Sequence, residues 1–458
     1  MTKRGWAGAI VLAVLMAGCA SQPNVADPLQ KGDYHAAAMA AVKEKDRDSE
    51  LDEANLLPTL EAGNNFLYAK EADQSLKMLD EAERIIKYHN EEILLGSTGD
   101  LIAKLMINDA AIDYHATVTD AVMVNTYKAL DYMMLGEMDE ARVELNRAVD
   151  RQRRAKETYA EMIAKQKAAI AQKERTTQGL DVQRTLNDPK VTSMIRSKYP
   201  ELDAFKAYPD FVNPFTTYLA GIFALIERDY GKAYSLLREA AGMAPENATV
   251  QSDYAMVRAA MHGKLIKGHY VWIIYENGLA PKKEEYRINI PMYLVSKDVL
   301  YTGIALPKMV RRNLATSDLT VVHGGKAVAR TSTLADMDRV ILTEFRYKYP
   351  DIVTRAIFSA LIKSFMQYQM SQQGGELLGL LGAVYQMATT QADTRVWASL
   401  PKVFQVTRVK MPSDRLLELH VGAHRLAAKI DPQAKDAIIY VRLPVAGAKP
   451  AYAVINFK

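Results

Sequence analysis

The first half of the chain spaces its apolar residues three and four apart, whereas the second half, from about residue 265, has short β-branched and aromatic runs separated by turns. The first spacing predicts amphipathic helices and the second predicts strands. The sequence therefore predicts an α+β chain, with an all-α region over 31–264 and a β-rich region over 265–458.

Two stretches of the helical region, 129–148 and 221–245, place small and large residues at identical intervals. The matched pairs are Ala129 and Gly221, Met138 and Tyr230, Ala141 and Ala233, Leu145 and Leu237, and Ala148 and Ala240. A weaker copy has Gly63, Ala72, Ser75, Leu79 and Ala82 in the same order. Small residues let two helices cross closely, and large ones fill the space between helix pairs. The pattern resembles tetratricopeptide (TPR) repeats without their tryptophan; the alternative is a non-repetitive helical array.

Residues 151–175, between two of the copies, are rich in Lys and Arg and carry Ala155, Tyr159, Met162 and Ile163 at helical spacing. No helix breaker appears before Gly179, which predicts a long basic helical arm near 151–185. A basic face of this kind suits anionic lipid or an acidic partner. The alternative is an ordinary solvated helix face.

The strands predicted in the second half cover 269–275, 286–290, 319–323, 403–410, 416–421, 437–443 and 451–457. Short antiparallel strands at this spacing predict a sandwich-like region. A helical insertion over 350–390 interrupts them, and we expect a hairpin of two helices that separates near 371–375. Its second helix is apolar nearly all round, so the hairpin either packs against a sheet or inserts into a membrane.

The N-terminus has a basic start at Lys3 and Arg4, an apolar run over 5–17, and the small residue Gly18 directly before Cys19. The run is shorter than the roughly 20 residues that span a membrane, and this order is typical of a secretory signal. It resembles the lipobox of bacterial lipoproteins, with Met16 where leucine is commoner. The resemblance implies removal of 1–18, acylation of Cys19 and a tether over 19–30. The alternative is an ordinary signal peptide with an incidental cysteine.

Cys19 is the only cysteine, so an internal disulfide is excluded. Removal of 1–18 leaves 440 residues (458 − 18) and lowers the formal charge from +4 to +2, because Lys3 and Arg4 are lost. This weak charge predicts no nucleic-acid partner. No aspartate directly follows Cys19, which in a Gram-negative host implies the outer membrane, with the chain facing the periplasm.

The segment 391–402 contains the motif ADTR-x-W-x-x-LP. A lipobox, TPR-like helices and a β-rich end with this motif together resemble a little-characterised family of TPR-containing lipoproteins of Gram-negative bacteria. The resemblance implies this architecture and a place beside lipoprotein activators of cell-wall synthases. Alternation puts Asp393, Arg395 and Trp397 on one face of an extended segment, where they either pin a domain seam or form a recognition surface.

The TPR-like pattern implies a concave groove lined by the first helix of each unit. The positions carried over are Asn64, Leu67, Tyr68, Thr126, Leu130, Met133, Tyr218, Ile222 and Leu225. This apolar and aromatic set predicts a groove for a helix or extended segment of an envelope protein. The alternative is that the same residues pack against the arm or the β-rich region.

The sequence contains no recognisable motif for catalysis or metal binding. His420 and His424 are four apart, but the residues between them read as a turn, so a helical metal pair is not expected. We therefore expect a non-enzymatic, protein-binding scaffold of the outer membrane with no cofactor and no metal. Two alternatives stay open: an enzyme acting on peptidoglycan or a surface polymer, and a membrane-active assembly or export factor that uses the 352–390 hairpin.

Overall fold

The structure, a computed structural model, describes residues 24–45, 51–95, 114–176, 182–200, 202, 207–208, 212–293, 299–388 and 391–458. The predicted signal peptide, Cys19 and the first residues of the tether lie outside this part of the chain. The described residues form a mixed α+β protein with most helices in the first half and the strands in the second. The fold class is therefore confirmed at that level.

The helices come first in the chain. They are α1 (Ala26–Lys31), α2 (Tyr34–Lys43), a 3₁₀ turn (Glu53–Asn55), α3 (Leu56–Ala69), α4 (Ala72–Leu95), α5 (Val118–Leu135), α6 (Met138–Thr176), α7 (Val182–Leu186), α8 (Pro189–Arg196), α9 (Pro214–Ile226), α10 (Tyr230–Met243) and α11 (Ala248–Met261). A last helix, α12 (Met337–Ala388), lies between strands.

Three helix pairs, α3–α4, α5–α6 and α9–α10, form the hairpins that the repeated spacing predicts. In two of them a glycine meets a leucine 16 positions later. A Cβ added to Gly63 would lie 2.5 Å from the Leu79 side chain, and one added to Gly221 would lie 2.9 Å from that of Leu237. The small positions thus permit the close helix crossing for which the sequence pattern singles them out.

The strands form three sheets. A five-stranded sheet has the order β11 (Ala451–Phe457), β10 (Asp436–Leu443), β1 (Tyr270–Asn277), β7 (Val403–Lys410) and β6 (Ser332–Asp336). A four-stranded sheet has the order β5 (Lys326–Arg330), β4 (Leu319–His323), β8 (Leu416–Val421) and β9 (His424–Lys429). The strands β2 (Lys282–Tyr293) and β3 (Val299–Val310) pair only with each other in the described chain.

Side chains alternate between the two faces of the five-stranded sheet, and both faces are covered. On β1, Ile273 and Tyr275 share a core with the four-stranded sheet, while Trp272 and Ile274 face the helices. Phe404 on β7 stacks on Phe215 of α9 with ring centroids 3.7 Å apart. One prediction is wrong: β1 pairs with β10 in parallel, so the strands are not all antiparallel.

A second core lies to one side of the helical array. It joins the C-terminal half of α6, the short helices α7 and α8, the β2–β3 pair and the first half of α12. We call this group of elements the arm lobe. The basic arm is not solvated all round, since Ala169 and Ile170 on its apolar stripe pack inside this lobe.

The helical insertion also differs from the prediction. Residues 337–388 form one continuous helix of 52 residues, with Pro350 inside it and no separation near 371–375. The expected two-helix hairpin is wrong, because the glycines at 374 and 375 do not end the helix. Within the ranges described, no helix is both long enough and apolar enough to cross a membrane.

Candidate functional site

A cavity of about 220 Å³ lies where the arm lobe meets the N-terminus of α5. Six separate parts of the chain line it: 114–120 with the start of α5, the middle of α6, residues 281–283, residues 307–309, the part of α12 from Ile341 to Arg355, and the ADTR-x-W-x-x-LP motif. The walls are largely apolar and aromatic, with Met162, Ile341 and Phe345 among them. The fold thus brings the most distinctive motif of the second half against the basic arm of the first.

Glu344 of α12 caps the N-terminus of α5. Its carboxylate accepts hydrogen bonds from the backbone N–H groups of Val118 (3.1 Å) and Thr119 (3.0 Å), and from the hydroxyls of Thr119 (2.7 Å) and Tyr159. Burial acts to raise the pKa of Glu344, but Lys348 at 3.2 Å and these hydrogen bonds outweigh it and lower the pKa. A buried carboxylate at a helix N-terminus is held by the unpaired N–H groups and the helix dipole.

Asp120 is a second buried carboxyl at the same helix end. Thr117 and Asp120 form a capping box, in which Asp120 accepts from the Thr117 N–H at 2.8 Å. The Tyr114 hydroxyl also donates to it, at 2.7 Å. Burial, reinforced by the charge of Glu344, raises the pKa of Asp120 above its ordinary value. The two carboxyls therefore have opposite pKa shifts, although both serve as helix caps.

Two further ion pairs lie at the walls, one of them with an additional lysine beside it. Asp351 and Arg355 of α12 lie 3.2 Å apart. The Arg395 guanidinium donates to Asp393 at 2.8 Å, and Lys283 donates to the Arg395 carbonyl at 3.1 Å. Burial acts to raise the pKa of Asp393, but Lys283 and Arg395 outweigh it and hold the pKa below its usual range. The predicted Asp393–Arg395 pair thus exists, at the edge of this cavity.

Trp397 of the motif is 2% exposed and lines the cavity. Its ring meets Tyr127 of α5 edge to face, with centroids 5.8 Å apart. Its indole Nε1 has no hydrogen-bond partner among the residues that the structure describes. A buried N–H without a partner loses its hydration without compensation, so this donor is a local cost to the stability of the fold.

The next residues of the motif hold the seam between the helices and the five-stranded sheet. The Ala398 N–H and the Ser399 hydroxyl donate to Glu61 of α3, and the Ser399 hydroxyl oxygen lies 2.9 Å from Asn64 Oδ1. Burial raises the pKa of Glu61 to about 7, and the bonds from Ser399 and Ala398 limit the rise. The motif therefore has two roles, since one end lines the cavity and the other pins the seam.

Glu276 on β1 is the centre of that seam. Its carboxylate accepts from Tyr68 (2.6 Å), Tyr127 (3.1 Å) and Tyr440, and lies 3.4 Å from the Arg442 guanidinium. Burial raises the pKa of Glu276, against the opposing influence of Arg442 and the tyrosine hydroxyls. Such a closed network stabilises an interface without leaving room for a ligand.

The nine residues of the predicted groove are all buried. The set is Asn64, Leu67, Tyr68, Thr126, Leu130, Met133, Tyr218, Ile222 and Leu225. Tyr218 donates to Asp253 of α11 at 2.5 Å, and Thr126 bonds Thr216 at 2.8 Å. Asn64 and Tyr68 instead bond Ser399 and Glu276 of the strand-rich half, as in the alternative that the sequence left open. An external segment therefore has no open groove here.

The histidines do not converge on one site. His420 and His424 lie at the ends of β8 and β9, on either side of a tight turn. His115 and His89 lie 2.6 Å and 3.4 Å from the same carboxylate oxygen of Glu53. Across the described ranges, no group of three or more His, Cys, Asp and Glu side chains is placed to hold a metal ion.

Sequence reasoning missed Glu344, Asp351 and the cavity itself. The sequence does contain a signal for the capping box, because Thr117 and Asp120 have the T-x-x-D spacing that precedes a helix. Glu344, the partner of that helix end, is 225 residues beyond Thr119 in the chain (344 − 119), and no local signal marks it. No protein-family model, no curated protein and no solved structure matches the chain.

Proposed function

We propose that this chain is a lipid-anchored, non-enzymatic binding protein of the bacterial cell envelope, and that its binding site is the cavity beside α5. The lipobox-like residues before Cys19 support attachment to the outer membrane through an acylated cysteine. The paired helices with matched small positions support a TPR-like helical domain as the scaffold. A role beside activators of cell-wall synthases is the setting that the resemblance of the chain favours.

The single observation that carries the proposal is the cavity. Its volume of about 220 Å³ exceeds the ~150 Å³ of an engineered apolar cavity that is known to bind benzene. It is smaller than the roughly 300 Å³ at which pockets for drug-sized ligands begin. A volume of this size suits one ring or a short chain, as part of a small molecule or of a larger partner.

The walls favour binding over catalysis. A general acid or base needs to be within reach of a substrate proton. Asp120 and Glu344 instead cap α5, and Asp351 and Asp393 have arginine partners. Their partners support a structural role for each carboxyl, which leaves the apolar surface between them as the feature that a ligand would use.

The test is the binding of N-phenyl-1-naphthylamine, a neutral dye that fluoresces in apolar surroundings, to the mature chain carrying Cys19→Ser. Ala116 lines the cavity and its side chain has no polar group, so Ala116→Phe fills space without breaking a hydrogen bond. Ala164 is exposed on α6 and does not line the cavity, so Ala164→Phe is the matched control. We expect Ala116→Phe to weaken dye binding at least about tenfold and Ala164→Phe to leave it unchanged. Equal binding by all three chains, with unchanged circular dichroism, overturns the proposal.

Attachment is tested separately. Cys19→Ser should release the protein from the membrane fraction and abolish the incorporation of labelled palmitate, since the thiol is the acylated group in a lipobox. Retention of the variant in the membrane fraction, resistant to high salt, contradicts the lipid anchor. It would leave the dye experiment unaffected.

A further inference from the structure

The loop that joins α11 to β1, residues 262–269, presents a highly exposed apolar side chain. Leu265 is 88% exposed, the highest value for a large apolar residue in the part of the chain that the structure describes, and Met261 just before the loop is 50% exposed. A single exposed apolar residue is common on protein surfaces and needs no partner by itself. The surroundings of Leu265 therefore decide whether it has a use.

The fold of the loop holds Leu265 outward. Ile266 is partly buried and packs against the main core. The Tyr270 hydroxyl donates to the Lys267 carbonyl at 3.2 Å, and Gly268 has a φ of 83°, a conformation that favours glycine. Because the residue after Leu265 is tied to the core, the exposure of Leu265 follows from a folded loop.

Cations surround this loop without counter-charges. Residues 254–269 contain no Asp or Glu. The starts and ends of neighbouring strands add two lysines, because Tyr270 pairs with Lys410 of β7 and its N–H donates to Asp436, the residue after the second lysine. Five exposed cations result, and none forms an ion pair within the described chain: Arg258, Lys264, Lys267, Lys410 and Lys435.

Two acidic groups of this region are engaged elsewhere. Asp253 is buried and pairs with Arg408. Asp436 accepts from the Tyr270 N–H at 2.7 Å and lies 3.9 Å from His269. This end of the five-stranded sheet therefore presents a local positive surface, although the formal charge of the whole chain is only +4.

A leucine between lysines fits a layer of lipid head groups. In such a layer an apolar side chain reaches the acyl boundary, while the flanking ammonium groups stay among the phosphates. Clusters of about four to eight Lys and Arg side chains bind anionic lipid, and each cation adds to the binding. A rigid protein partner would need a pocket shaped around Leu265, whereas lipids rearrange around a side chain. Charge and exposure together favour an anionic membrane surface.

We propose that the 262–269 loop is a membrane contact, in which Leu265 enters the head-group layer of a membrane that contains anionic lipid and the five cations face its phosphates. This contact goes beyond the proposed function, since it uses neither the cavity nor Cys19. A lipid chain combined with a basic patch holds a protein on a membrane more stably than a single chain does.

The experiment measures the binding of the mature chain carrying Cys19→Ser to vesicles by sedimentation. One preparation is an equal mixture of phosphatidylglycerol and phosphatidylcholine, and the other is phosphatidylcholine alone. We expect binding to the anionic vesicles only, with loss of binding at high salt. Lys264→Gln combined with Lys267→Gln should weaken binding about fivefold for each lysine removed. The matched control is Lys77→Gln combined with Lys87→Gln, at two exposed positions of α4 that form no ion pair within the described chain, and it should change binding little.

A second set of variants tests the leucine. Leu265→Ser should weaken vesicle binding about tenfold, because the apolar side chain no longer leaves water. Val328→Ser, at an exposed site on β5, is the control and should bind as the parent chain does. In Leu265→Trp the added indole should be quenched by brominated lipid, since it would lie at the acyl boundary. Trp272 and Trp397 are buried, so their emission should be unaffected.

Four results would overturn the contact. They are equal binding to both vesicle preparations, equal losses for the loop pair and the control pair, bound Leu265→Trp without quenching, and failure of the unlipidated chain to bind anionic vesicles. Each of them would leave dye binding in the cavity and palmitate incorporation at Cys19 unaffected. The proposed function and the membrane contact can therefore fail independently.

Discussion

Two interfaces join the helical array to the rest of the molecule. Both bury a hydrogen-bonded carboxylate, but one is filled and the other contains a cavity. At the seam with the five-stranded sheet, Glu276 is surrounded by tyrosine hydroxyls and Arg442, and aromatic rings such as Phe215 and Phe404 fill the remaining space. At the interface with the arm lobe, Glu344 is equally well bonded, yet a cavity remains beside it.

The difference in packing between the two interfaces follows from the elements that form them. A sheet covers a row of helices along its whole face, and its alternating side chains interlock with theirs. The arm lobe touches the array chiefly at one helix end, where side chains as small as Ala116 and Thr119 line the contact. The comparison indicates that the seam stabilises the fold, while the arm-lobe interface provides the site.

The largest expected effect is at the seam. Glu276→Ala removes the acceptor for three tyrosine hydroxyls and leaves Arg442 buried without its counter-charge. We expect the free energy of unfolding to fall by about 3–5 kcal/mol, measured by urea denaturation. Tyr440→Phe, which removes one hydrogen bond, should cost about 1 kcal/mol. Equal losses for the two variants would show that the network is not centred on Glu276.

A smaller loss is expected at the cavity. Glu344→Ala leaves the Val118 and Thr119 N–H groups and the Tyr159 hydroxyl without their acceptor. We expect about 2–3 kcal/mol of destabilisation, together with weaker dye binding, because α12 is no longer tied to α5. Lys348→Met keeps the carboxylate and should cost less than about 1 kcal/mol, since Lys348 is partly exposed. An unchanged stability for Glu344→Ala would contradict the proposed attachment of the arm lobe.

The pH dependence of stability tests one titrating group of the seam, Glu61. Burial raises the pKa of Glu61 to about 7, so the folded state retains a proton that the unfolded chain releases near pH 4.5. The free energy of unfolding should therefore fall as the pH rises from about 4.5 to about 7 and then level off. Glu61→Gln should reduce this slope, which thermal melts at pH 5, 6, 7 and 8 can measure. A slope that is identical in the variant rules out Glu61 as its source.

The smallest predicted effects concern the helix crossings. Gly221→Ala places a Cβ 2.9 Å from the Leu237 side chain and 3.3 Å from its backbone nitrogen, so we expect a net loss of about 1 kcal/mol in spite of the better helix propensity of alanine. Gly242 has no atom within 4 Å of its added Cβ, and Gly242→Ala should raise the thermal midpoint slightly. Stabilisation by both variants would contradict the close crossing.

Much of the local structure could be predicted from the sequence. The predicted strands at 319–323, 403–410, 416–421 and 451–457 match β4, β7, β8 and β11, because alternation and turn residues are local signals. The arm helix extends at least to Thr176, and the predicted breaker at Gly179 lies outside the described residues.

The partners of those elements could not be predicted. The apolar positions at Tyr68 and Tyr218 identify a face to be buried, but a period of 3.6 residues does not specify what buries it. The glycines at 374 and 375 indicated a helix break, yet each costs only about 1 kcal/mol in a helix and α12 continues through them. The cavity is formed by six distant segments, so the lining residues that the sequence singled out, among them Tyr159, Met162, Asp393 and Trp397, could not be assigned to one site in advance.

The most direct test of the central claim is a crystal structure of the mature chain soaked with 4-bromoacetophenone, in which the anomalous signal of bromine locates the ligand. The account predicts a peak inside the cavity between Ala116 and Trp397. A cavity without bromine signal at millimolar ligand, or a peak confined to the outer surface of the protein, would contradict it.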